Sequence, residues 1–96
     1  MYKLRLPDYL VKNIRFLHPD IKKKVRSALK IISEDPYAGK ALKDELDGLG
    51  SFRVKGLRII SQVENGKEIN IVALGPRAYI YEETYRLLKR EEKTEI

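Results

Sequence analysis

The fold is decided by residues 52–60, which read Phe-Arg-Val-Lys-Gly-Leu-Arg-Ile-Ile. Apolar residues alternate with Arg or Lys on both sides of Gly56, and a period of two is typical of strands with one wet face. Because glycine accepts a positive φ without penalty, we expect Lys55-Gly56 to close a tight hairpin. The stretch predicts two antiparallel strands with a basic face.

Downstream, a second hairpin and a helix follow. Asn65-Gly66 is a strong signal for a type I′ turn, and apolar segments at residues 59–64 and 67–74 flank it. Residues 78–89 predict a C-terminal helix, and the charged residues 90–96 are expected to fray.

Upstream, the first third of the chain predicts a strand and two helices. Residues 2–6 alternate like a strand, and apolar residues at helical spacing follow Asp8, which we expect to be the N-cap. His18 interrupts this helix, because the residue before a proline avoids the α region, and we interpret it as a capping or surface residue. A second helix with a basic outer face begins near Pro19. The two helices predict an αα-hairpin.

Together these segments give the order β-α-α-β-β-β-α in a single domain over residues 1–96. The predicted class is α+β: a small antiparallel sheet, an N-terminal α-hairpin packed on one face of it, and a short C-terminal helix. A chain of 96 residues has room for one hydrophobic core only.

Composition excludes several classes of function. The chain has no cysteine and one histidine, which excludes disulfides, thiolate metal sites and multi-histidine metal centres. No apolar run approaches the roughly 18–20 residues of a membrane span, and the N-terminus lacks the apolar region of a signal peptide. We expect a cytoplasmic protein with no membrane association, no metal and no small-molecule cofactor.

Positive charge is concentrated in the first part of the chain. Residues 1–60 hold 14 Lys+Arg and 7 Asp+Glu, a net of +7, whereas residues 61–96 hold 6 and 7, a net of −1. This asymmetry favours a polyanion partner such as nucleic acid. The same field would attract an acidic protein, so the charge alone leaves both open.

The candidate site is a set of cations on the predicted sheet. Arg53 and Lys55 are two apart on one strand and are expected to share a face, while Arg58 follows across the turn and Arg77 follows the last strand. Cations that converge repel one another unless an anion lies among them, and arginine grips phosphate bidentately. The pattern alone fits the wet side of a half-exposed sheet equally well.

Tyrosines next to Arg77 add a second candidate feature. Tyr79, Tyr81 and Tyr85 fall within seven residues, and Tyr81 and Tyr85 share a helix face. Each is a core residue or a group that moves a proton or stacks on a base.

The order of these pieces resembles the RelE/ParE superfamily of toxins from type II toxin–antitoxin systems. Residues 52–60 match an aromatic-Arg-x-Lys, Gly-turn and x-Arg-Ile-Ile pattern. After the Asn65-Gly66 hairpin, residues 71–77 and Ile80-Tyr81 match a Gly-x-Arg and Ile-Tyr ending. Upstream, Asp35-Pro36-Tyr37 precedes a Gly-Leu-Gly segment. The resemblance implies a RelE-like fold and a cognate antitoxin that holds the toxin inactive.

The RelE branch implies a ribosome-dependent endoribonuclease that cuts mRNA by metal-independent attack of the 2′-hydroxyl. The resemblance gives Arg58 and Arg77 the role of phosphate clamps and Lys55 that of a transition-state cation or proton relay. The resemblance implies that Tyr81 is the base or a stacking partner, and Tyr85 is the fallback for this role. It also implies that Arg53, Lys55, Arg58 and Arg77 bind the RNA phosphates.

Two departures and one alternative accompany the resemblance. The turn at Gly56 is shorter than the usual one, and Ser61 stands where the family often has a tyrosine. The ParE branch shares the fold but poisons DNA gyrase and lacks the nuclease residues, so the fold does not settle the function. The joint presence of the four cations and Tyr81 favours the nuclease.

Overall fold

The segments around residues 52–60 form the centre of a five-stranded sheet in the computed structural model, which describes the backbone of residues 2–94 and the side chains of residues 2–89. In chain order the elements are β1 (Lys3–Arg5), α1 (Asp8–Arg15), α2 (Pro19–Glu34), β2 (Lys40–Ala41), β3 (Leu49–Val54), β4 (Leu57–Glu64), β5 (Glu68–Pro76) and α3 (Arg77–Thr94), with a 3₁₀ turn at Asp44–Leu46.

Strand order across the sheet is β1-β5-β4-β3-β2. The strands β2 to β5 pair antiparallel, and β1 pairs parallel with β5. This confirms the predicted α+β class and the order β-α-α-β-β-β-α around a mainly antiparallel sheet. The strand β2 is an addition, because two residues are too few to show any periodicity in the sequence.

Helices cover both faces of the sheet, so the described residues form two hydrophobic clusters, and the expectation of a single core is wrong because each face of the sheet is buried against its own helices. The helices α1 and α2 pack over Val54 and Ile59 on one face, as predicted for the α-hairpin. On the other face α3 places Ile80 against Ile60 and Ala73. Ile59 and Ile60 are adjacent and both buried, because successive side chains of a strand point to opposite faces. Burying each such side chain contributes about 1.5–3 kcal/mol.

A β-bulge in β5 lets that strand serve both cores. The register of β5 against β4 shifts by one residue after Ile60, so Val72 is the extra residue. Ile71 therefore packs on the α1–α2 side and Ala73 on the α3 side, although residues two apart share a face in a regular strand. The Tyr9 hydroxyl donates to the Val72 carbonyl at 2.7 Å, which ties α1 to the bulge.

The N-terminal caps of α1 and α2 confirm one prediction and contradict another. His18 Nδ1 accepts a hydrogen bond from the Asp20 N–H at 3.2 Å, so His18 caps α2 as expected. The prediction that Asp8 is an N-cap is wrong: Pro7 occupies that position and Asp8 is the first helical residue. There its carboxylate still interacts favourably with the positive end of the helix dipole.

The second hairpin and the C-terminal helix follow the prediction with extensions. Asn65 and Gly66 have φ of 54° and 67°, the two positive values that a type I′ turn requires. The helix α3 continues to Thr94, beyond the predicted 78–89, and residues 95 and 96 of the predicted frayed tail lie outside the described residues. No helix in the described part of the chain has the length and apolar character of a membrane span.

Candidate functional site

The hairpin between β3 and β4 places two arginines directly opposite each other. Arg53 pairs with Arg58 in register, and the Cβ atoms of residues opposed in this way lie about 4.5–5.5 Å apart. Both leave the backbone on the face that α3 covers, the face of Ser51 and Ile60. Like charges at this spacing repel, and a bound anion would relieve the repulsion.

A third arginine reaches the same end of the sheet from α3. The Arg77 N–H donates to the Gly56 carbonyl at 3.3 Å, which joins the start of α3 to the β3–β4 turn. Close packing fixes this junction, because a Cβ at Gly75 would lie only 3.1 Å from Ile80 Cδ1. Arg58 is half-buried and pairs with Gly75 in register. Because Gly75 has no side chain, α3 can pack closely against the strand next to Arg58.

The phenol of Tyr81 lies on this same face. Its hydroxyl and the Ser51 Oγ are 3.2 Å apart, and either group can be the donor. Ser51 is buried and precedes Arg53 by two residues, which is about 7 Å along a strand. The half-buried Tyr81 ring packs against the α3-side core. The tyrosine therefore has a structural role, with its oxygen held toward the strand that carries Arg53.

The two other tyrosines of α3 are placed differently. Tyr79 is largely exposed. Tyr85 is one turn beyond Tyr81, and its ring lies 5.5 Å from the Lys89 ammonium, a cation–π contact within the helix. Tyr81 is the tyrosine that reaches a group on β3, which favours it over the fallback Tyr85.

Lys55 does not follow the strand alternation that the sequence suggested. The strand β3 ends at Val54, and the positive φ of the turn falls on Lys55 (54°) rather than on Gly56. The Lys55 side chain interacts with Lys24 of α2, and the Arg53 Nε donates to the Lys55 carbonyl at 3.4 Å. The turn redirects Lys55 toward α2, while Arg53 stays beside it.

The contact between Lys24 and Lys55 changes the proton affinity of Lys24. A hydrogen bond with the Lys55 side chain lowers the pKa of Lys24 below its usual value, and desolvation and the positive charge of Lys55 act in the same direction. Asp20, one helical turn earlier, opposes this shift. A positive charge on Lys55 therefore disfavours a positive charge on Lys24.

The structure thus brings Arg53, Arg58 and Arg77 together at one end of the sheet and seats Tyr81 on the same face. Ser51 and Lys24 were missed from the sequence. The position of Ser51 two residues before Arg53 was a usable signal for a shared strand face. No sequence signal marked Lys24, because it is one of three consecutive lysines and only the packing of α2 decides which of them lies near Lys55.

A mostly apolar hollow of about 380 Å³ occupies the β2–β3 region of the molecule. Ile32, Phe52 and Val63 are among its walls, and Tyr37 stands at its side. Ser61, where the resemblance places a tyrosine, lines this hollow instead of the arginine cluster. In the described residues, no three acidic or histidine side chains are placed to hold a metal ion.

Comparison with known families identifies the fold's relatives. Residues 2–81 match the family model of the ParE toxin of the type II toxin–antitoxin system parDE. The chain belongs to the RelE/ParE toxin superfamily. It is therefore the toxin of a type II toxin–antitoxin system, as the resemblance predicted.

Solved toxin structures share this fold. A chain of the RelBE2 toxin–antitoxin complex from Mycobacterium tuberculosis is 25% identical with a TM-score of 0.68, and the match covers 79% of this toxin and 98% of that chain. A mutant of the E. coli toxin RelE in the free state is 22% identical with a TM-score of 0.70, covering 93% and 96%. A chain of the YoeB–YefM complex from Staphylococcus aureus is 18% identical with a TM-score of 0.62, covering 77% and 94%. A search of curated protein sequences finds no match.

Proposed function

We propose that this toxin is a RelE-like, ribosome-dependent endoribonuclease that cuts mRNA and so inhibits translation. The observation that carries the proposal is the meeting of Arg53, Arg58 and Arg77 at the end of the sheet where Tyr81 is seated. The three arginines come from three elements whose backbones meet at this end of the sheet, and guanidinium groups suit the negative charge that spreads over a phosphate in its transition state. RNA carries its own nucleophile, the 2′-hydroxyl, so the protein need supply only positive charge and proton transfer.

In the proposed reaction the 2′-oxygen bonds to the adjacent phosphorus while the bond from phosphorus to the 5′-oxygen breaks. One proton leaves the 2′-hydroxyl and one reaches the 5′-oxygen, giving a 2′,3′-cyclic phosphate and a 5′-hydroxyl. Arg58 and Arg77 clamp the phosphate, and Arg53 adds a phosphate contact. Tyr81 takes the proton or stacks on a base. The resemblance gives Lys55 the role of a transition-state charge or proton relay, whereas the turn directs its side chain toward Lys24, which suits a contact with the RNA strand. No step requires a metal or a small-molecule cofactor.

The proposed partners are a cognate antitoxin, the ribosome and mRNA, and the proposed location is the cytoplasm, where translation takes place. Similar chains from the RelBE2 and YoeB–YefM toxin–antitoxin complexes support the antitoxin. The net charge of +7 on residues 1–60 suits an acidic antitoxin segment and RNA in turn.

Primer extension on cellular mRNA after induction of the toxin tests the proposal. New 5′ ends at codons in the ribosomal A site are expected, and Arg58→Ala should abolish them. Arg26→Ala is the matched control, because Arg26 is an exposed cation of α2 outside the arginine cluster. Intact mRNA during growth arrest would overturn the proposal.

The match to the ParE family model favours a second candidate, a toxin that binds and poisons DNA gyrase. This candidate predicts DNA-damage signalling and co-purification with gyrase while mRNA stays intact. It also predicts that Tyr81→Phe remains fully toxic, since no proton transfer is involved.

A further inference from the structure

An open groove of about 420 Å³ lies between α2 and the β3–β4 turn. Its cations come from two elements, Lys23 and Lys24 from α2 and Arg53 and Lys55 from the hairpin. In the described part of the chain no carboxylate lines the groove. Asp20 acts on Lys24 from one helical turn away but is not part of the wall. The groove therefore concentrates positive charge without an internal counterion.

The fold itself holds the two central ammonium groups together. Lys24 is fixed on a sixteen-residue helix, and the positive φ of Lys55 turns that residue out of the strand and toward Lys24. The hydrogen bond with the Lys55 side chain and the positive charge of Lys55 both lower the pKa of Lys24. An anion in the groove would be attracted by both lysines and would offset their mutual repulsion.

We propose that Lys24 and Lys55 form a seat for one backbone phosphate of the bound RNA strand, separate from the phosphate that is cut. This inference rests on the proposed function. Lysine binds phosphate as a compact point charge, which suits a contact that holds the strand without shaping the transition state. Lys55 then positions the substrate beside the cleavage cluster.

Continuity with the arginine cluster favours RNA over an acidic protein segment as the occupant. Arg53 borders the groove through its bond to the Lys55 carbonyl and is also the register partner of Arg58. A single strand that leaves the lysine seat meets Arg53 first and then its register partner Arg58 on the face that α3 covers. Phe52 and Ile31 line the same groove and offer apolar surface to a ribose or a base.

The test uses a single-stranded RNA methylated at every 2′-oxygen, which binds but cannot be cut. Lys24→Gln and Lys55→Gln should each weaken binding about three- to fivefold. Loss of both lysines should lower the slope of log Kobs against log salt by about 0.7, the value for one phosphate on a single strand. The double variant should lose less than the product of the two, because both lysines hold one phosphate. Lys30→Gln, an exposed lysine of α2 outside the groove, should leave affinity almost unchanged.

A second readout is protection of the Lys24 amine from acylation at pH 8, followed by mass spectrometry. The methylated RNA should protect Lys24 and leave Lys30 reactive. Equal losses of affinity in Lys24→Gln, Lys55→Gln and Lys30→Gln, or no protection of Lys24, would overturn the proposed phosphate seat. Protection by an acidic peptide but not by RNA would overturn it as well. Failure of the proposed function has a different signature, since unmodified mRNA would then stay intact while the methylated RNA still binds through Lys24 and Lys55.

Discussion

Two groups of cations meet at the β3–β4 turn, and they differ in how the fold holds them. The arginines 53, 58 and 77 are fixed by strand register and by the junction of α3 with Gly56. The lysines 24 and 55 are fixed by a turn residue and a helix from the opposite side of the sheet. The planar guanidinium of arginine makes directed hydrogen bonds, whereas the attraction of a lysine ammonium for an anion depends little on direction. This difference is the reason for proposing that the first group acts on the phosphate that is cut and that the second binds the strand.

The largest expected effect falls on the arginine group. Arg58→Ala should lower RNA cleavage about 100- to 1,000-fold, because one preorganised cation at the developing charge is lost. Arg58→Lys should restore little, since an ammonium cannot reproduce a bidentate contact. The measurement is cleavage of mRNA on purified translating ribosomes, with circular dichroism to check the fold. Full activity of Arg58→Ala would move the chemistry away from this cluster.

Tyr81→Phe is expected to lower cleavage about 100-fold if the phenol transfers a proton. The ring and its packing on the α3-side core are kept, so unfolding should change by only about 1 kcal/mol through the lost bond to Ser51. Tyr85→Phe is the matched control and should cleave normally. Similar rates for the Tyr81 and Tyr85 variants would leave Tyr81 with a structural role only.

Ser51→Ala tests the hydrogen bond that holds the Tyr81 hydroxyl while leaving the hydroxyl itself in place. The substitution leaves the Tyr81 hydroxyl without its partner on β3, so unfolding in urea should show a loss of about 1–2 kcal/mol. Cleavage should fall by less than in Tyr81→Phe, because the phenol remains. If cleavage fell equally in both variants, the hydrogen bond would be as necessary as the oxygen that makes it.

The smallest effect concerns the lysine group and pH. The pKa of Lys24 is lowered by folding, so the unfolded chain keeps that proton up to the ordinary value of 10.5 while the folded chain releases it earlier. Between the two values the unfolded state binds more protons, and this group makes stability rise with pH. Lys24→Gln should remove that rise and raise the midpoint of thermal unfolding at pH 7. A profile that parallels that of Lys30→Gln would show that Lys24 and Lys55 do not interact.

Much of the fold was predictable because its signals are local. The alternation around Gly56 and the Asn65-Gly66 turn report backbone geometry directly, and both hairpins form. The bulge at Val72 was not predictable, because it depends on which residues of β4 and β5 pair. The same holds for the parallel pairing of β1 with β5, which joins residues more than sixty positions apart.

The order of the site residues along the strands follows from local sequence, since strand alternation and turn residues act over a few positions. These local signals place Arg53 and Arg58 on neighbouring strands and Tyr81 one turn after Arg77. Tertiary structure alone decided that Lys55 turns to Lys24 and that Tyr81 meets Ser51. Those contacts depend on how α2 and α3 pack on opposite faces of the sheet, and packing is a property of the whole core rather than of any segment.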